Sequence, residues 1–79
     1  MNEDNISWGR LSHVEQQAVE NLLEVAMRWP KSLWLFSAAG TLFVMKKNSQ
    51  GERVMKASGG VDQGQVVGKV PIENDGGDW

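Results

Sequence analysis

The chain has no cysteine and no tyrosine, and only one histidine and two prolines among its 79 residues. Without cysteine there is neither a disulfide staple nor a thiolate metal site, which excludes a secreted disulfide scaffold. No apolar run approaches the ~20 residues of a membrane span, and the opening MNEDNIS is too polar for a signal peptide. A soluble, cytoplasmic protein is the expectation. The chain also lacks G-x-G-x-x-G, and the run Gly64-Gln65-Val66-Val67-Gly68-Lys69-Val70 fails as a phosphate loop. It has one residue too few between its glycines, and Val70 stands where a hydroxyl must meet magnesium.

The only histidine, His13, stands beside Ser12 at the start of a helical pattern. Neighbouring helix positions do not face each other, so the two make no nucleophile and base; Ser12 reads as a cap. His13-x-Glu15 matches half of a zinc-deaminase signature whose paired cysteines are absent. Glu73, Asp75 and Asp78 resemble the opening of a calcium loop, but the sequence stops before such a loop closes. No catalytic residue, metal or cofactor is expected, and an enzyme is disfavoured.

What the chain does have is SLWLFSAAGTLFVMKK at residues 32–47. Two short apolar runs around a Gly-containing gap predict a β-hairpin with both faces apolar. Each face then needs cover, and the preceding segment supplies one. Ser12-His13-Val14-Glu15 fits a capping box, and Val14, Ala18, Leu22, Val25, Ala26 and Trp29 fall on one stripe of a helix predicted over residues 12–29. The helix should end before Pro30, because a residue preceding proline resists the α region. Val19, Leu23 and Met27 lie on the flank of that stripe. They are either covered by the leader or tail, or form a protein interface.

Residues 1–10 read as a loose leader in which Trp8 tucks against the domain. Asn48-Ser49-Gln50-Gly51 is a turn by composition. Residues 52–57 alternate weakly and predict a third strand, making residues 32–57 a β-meander. Residues 58–79 are a Gly-rich segment with a candidate fourth strand at 65–70 and an acidic tail. The expected fold class is therefore α+β, one N-terminal helix packed on a three- to four-stranded antiparallel meander in a single small domain.

The net charge of −2 conceals an asymmetry. Residues 28–56 hold six bases against one acid, and the remainder two bases against nine acids. Lys46, Lys47, Arg53 and Lys56 cluster around the second turn and are candidate polyanion contacts, with Trp34, Phe36 and Phe43 nearby as stacking groups for single-stranded bases. Against that reading, the same aromatics are the best available core, expected beneath the helix. The acidic end with Asp75, Asp78 and Trp79 is a candidate ligand peptide for a host protein.

Pro30-Lys31-Ser32-Leu33-Trp34-Leu35-Phe36 and Asn74-Asp75-Gly76-Gly77-Asp78-Trp79 resemble segments of small uncharacterised proteins encoded by bacteriophages and prophages. These segments span roughly a sixth of the chain. The resemblance implies a bacterial cytoplasm and a short accessory gene product, and attaches no fold, activity or site residue. A domain of this size has little core to spare, which makes oligomerisation attractive. The leading expectation is a non-catalytic interaction protein, a homodimer or the partner of a host or phage protein. A small nucleic-acid-binding module is the alternative, and no membrane partner is expected.

Overall fold

The computed structural model describes residues 5–77. The architecture is α+β. One N-terminal helix, α1 (His13–Met27), is followed by β1 (Leu33–Ala38), β2 (Thr41–Lys46) and β3 (Val66–Val70), which form one antiparallel sheet in that spatial order.

The capping box forms as its spacing predicts. Glu15 N donates to Ser12 Oγ at 3.1 Å, and Ser12 N donates to the Glu15 carboxylate at 2.8 Å. The helix ends at Met27 rather than at residue 29; Arg28 has already left helical ψ, with φ −109° and ψ 8°. Trp29 instead ties the helix end to the sheet, its indole N–H donating to Leu33 O at 2.9 Å.

β1 and β2 join through Ala39 and Gly40, whose φ values of 52° and 79° are both positive. That pair of signs defines the I′ turn that suits the right-handed twist of a hairpin. The register sets Trp34 opposite Met45 and Phe36 opposite Phe43. Alternation then places Trp34, Phe36, Ala38, Phe43 and Met45 on one face, and Leu33, Leu35, Leu42 and Val44 on the other.

The third strand is not at residues 52–57. Those residues make only an isolated bridge, Met55 to Val61, and the free edge of β2 is taken by Val66–Val70. The β-branched valines of the latter suit a pleated surface better than Glu52, Arg53 and Lys56. Freed from the sheet, residues 47–65 become a cover. Asn48 Oδ1 accepts from Gln50 N at 3.0 Å and Glu52 N at 2.9 Å, starting the first bend. Gly59 and Gly60, both at positive φ, make the second. This returns Val61 to the first sheet face, where it is buried with Trp34, Ala38, Phe43 and Met45, and Phe36 and Val66 pack alongside. The aromatics are thus buried beneath this connection, not beneath the helix as expected. No α1 side chain is buried.

After β3 the chain crosses to the hairpin turn. Gly76 N donates to Ser37 Oγ at 2.8 Å, and the Ser37 hydroxyl reaches Asp75 Oδ1 at 2.8 Å as well as the Asn74 side chain. Ala39 N donates to Gly77 O. The whole is elongated: its radius of gyration is 15.0 Å, against about 12 Å for a compact chain of this length.

Candidate interaction surface

The helix is turned relative to the expectation from its apolar stripe. Gln16 fixes its orientation toward the leader, its side-chain amide donating to Trp8 O and Leu11 O at 3.2 Å each. Trp8 itself is half-buried in a short 3-10 turn, Trp8–Arg10. Val19 faces the same way and shares a hollow with Ile6, Ser7, Arg10 and Leu11. Leu23 is half-buried too, whereas Met27, at the helix end, is 86% exposed. The flank of Val19, Leu23 and Met27 is therefore covered in part by the leader, and only Met27 stands free in solvent.

The stripe expected to be core takes the opposite role. Val14 is 77% exposed, Leu22 62% and Val25 51%, with Ala18 and Ala26 exposed between them. An open apolar cleft of about 390 Å³ separates this stripe from the sheet, lined by Leu22, Val25, Ala26 and Trp29 from the helix side and by Leu33, Trp34 and Leu35 of β1. A second hollow of about 480 Å³ runs along Ala18, Val19, Leu22 and Val25 to Ile72, beyond β3. Leu22 and Val25 line both. Leu35 and Ile72 are themselves about half exposed. Single exposed apolar side chains are ordinary; a contiguous set of this extent marks an interaction site.

The basic residues are arranged differently. Lys46, Arg53 and Lys56 are exposed and Lys47 half-buried. Arg53 is stacked: its guanidinium carbon lies 4.4 Å from the Trp34 ring centroid, so it roofs the core. Lys69 reaches over Phe43 at 5.9 Å. Trp34 and Phe43 are buried and Phe36 is half-buried, edge-on to Trp34 at 5.7 Å. The aromatic platform that single-stranded bases would need is thus used as core. The Trp34 indole N–H is buried with no hydrogen-bond partner among the described residues.

In the acidic tail, Asp75 is engaged with Ser37, while Asp78 and Trp79 lie outside the described residues. His13 is an exposed first helical residue beside the capping Ser12. Among the described residues, no three of His, Cys, Asp and Glu converge as a metal set, and no helix is long and apolar enough to cross a membrane.

The sequence offers the flank either as a surface covered by the leader or tail or as an interface, and it reads Leu22 and Val25 as core. Leu35 and Ile72 were not singled out. A helical wheel reports which residues share a face but not what lies against that face. The one sequence signal is the segment before the helix, where Ile6 of the leader and Leu11 just after it are apolar enough to claim a side of the helix. Comparisons with protein-family models, curated proteins and solved structures gave no match.

Proposed function

We propose that this is a non-catalytic interaction protein whose working surface is the apolar face of α1 around Leu22 and Val25, bordered by Leu35 and Ile72. The observation that carries the reading is the open stripe: fifteen helical residues with none buried. A helix of that length is marginal in water by itself, and most helical stability in proteins comes from packing an apolar face. Full burial of a Leu or Val side chain contributes about 1.5–3 kcal/mol, so closing this face against another polypeptide would steady the helix and drive association together. Self-association and the capture of a host or phage protein both fit such a surface. The bacterial or phage origin and the cytoplasmic setting belong to the same proposal.

The polyanion reading is weaker. Arg53 is occupied by Trp34, which leaves Lys46, Lys47 and Lys56 for phosphate contacts without stacking. The two readings separate in one experiment. Tagged protein is recovered from a bacterial lysate with and without nuclease, alongside Val25→Glu and the triple variant Lys46→Glu/Lys47→Glu/Lys56→Glu. The apolar reading predicts association with polypeptide, either a second copy seen as a dimer mass or a captured protein, that survives nuclease, is lost in Val25→Glu and persists in the triple variant. Capture that needs nucleic acid and disappears in the triple variant would contradict it.

A further inference from the structure

We infer that the occupant of the α1 face is a second copy of this chain, docked as a two-fold pair with the helices antiparallel and crossing at Leu22. This inference rests on the reading of that face as an interface and names its partner. Three observations converge on it.

The first is area. The chain exposes 6206 Å², whereas a compact protein of its 8.8 kDa exposes about 4,800 Å², a surplus of about 1,400 Å². A standard interface removes about 800 Å² from each partner. The surplus belongs to the whole elongated chain, and one isologous contact is smaller than it. The exposures of Val14, Leu22, Val25, Leu35 and Ile72 place apolar surface on and beside α1.

The second is shape. Leu22 and Val25 form a ridge between two hollows of similar size, about 390 and 480 Å³. A ridge flanked by grooves is the form that accepts its own copy, each ridge entering a groove of the other molecule. Ala18, Leu22 and Ala26 make one i±4 row with a large residue between two small ones. An antiparallel copy centred on Leu22 sets Ala26 beside Ala18, and the small side chains leave room for the facing leucines.

The third is charge. By helical spacing Glu20 and Glu24 fall on the side opposite Leu22, so the pairing brings no acid against acid at its centre. A contact of this kind is apolar and should weaken little with salt, unlike one between the basic and acidic parts of the chain.

The absence of native cysteine makes the test direct. Leu22→Cys introduces a single thiol on the two-fold axis, and Gln50→Cys an exposed thiol in the covering loop. Wild-type protein and both variants are measured by sedimentation equilibrium from micromolar to high micromolar concentration, and the variants are treated with a short bis-maleimide at a concentration where each is dimeric. The expected result is a dimer mass that persists at high salt, rapid cross-linking of Leu22→Cys, and cross-linking of Gln50→Cys at least tenfold slower. A dimer mass with equally slow cross-linking of both variants overturns the proposed geometry. A monomer mass throughout overturns the second copy; binding of an apolar fluorescent dye then judges the underlying reading. Dye bound by wild type and lost in Val25→Glu leaves the open face standing with another partner. Dye binding that is absent, or unchanged by Val25→Glu, removes the face as an interface altogether.

Discussion

Ala39 holds a left-handed backbone conformation, φ 52°, where glycine or asparagine is the usual occupant. Ala39→Asn keeps the I′ turn and removes part of that strain, so it should raise stability by about 0.5–1 kcal/mol in urea unfolding. Gly76, across from it, has no such latitude. A Cβ there would stand 2.2 Å from Gly40 N, at a φ of +59°. Gly76→Ala should therefore destabilise by about 1–3 kcal/mol through turn strain and displacement of the strap. Arg53 can be tested optically. Arg53→Ala removes a cation–π contact of about 0.5–1 kcal/mol, and the exposed Trp34 face should shift indole emission to the red. Unchanged emission would mean that Arg53 does not roof the ring in solution.

At the scale of elements, legibility followed the locality of the signal. The capping box of α1 and the β1–β2 hairpin were readable because residues within a few positions determine them, and both appear close to their expected limits. Residues 52–57 and 65–70 both read as candidate strands, and choosing which of them pairs with β2 depends on which one best meets its far edge. A local pattern carries no record of that competition. The helix shows the same limit more sharply: its apolar face was evident, but the leader bound through Gln16 settled which way it turned. Ser12→Ala should cost about 1 kcal/mol of helix stability. Because α1 has no buried side chain, that cost should appear as reduced helical circular dichroism with little change in the sheet's unfolding midpoint. The tail behaves as part of the fold through residue 77. Deleting residues 73–79 should lower the melting temperature by several degrees, since it removes the contacts of Asn74, Asp75, Gly76 and Gly77 around Ser37 and Ala39. A free ligand peptide would leave it unchanged.

At the scale of the whole molecule, one sheet face supplies the core, while the other side is left to a helix it meets across a cleft. A short chain buries a smaller fraction of its surface than a long one, and this one uses Trp34, Phe36 and Phe43 beneath residues 47–65. The remaining apolar surface is then available for association. The most direct test of that division is the unfolding free energy of Leu22→Glu, measured dilute enough that the wild-type chain is monomeric. If Leu22 belongs to a surface, the variant should lie within about 0.5 kcal/mol of wild type in dilute solution and fall behind it only as the wild-type concentration rises. A loss of several kcal/mol at every concentration would place Leu22 in the core and contradict the account.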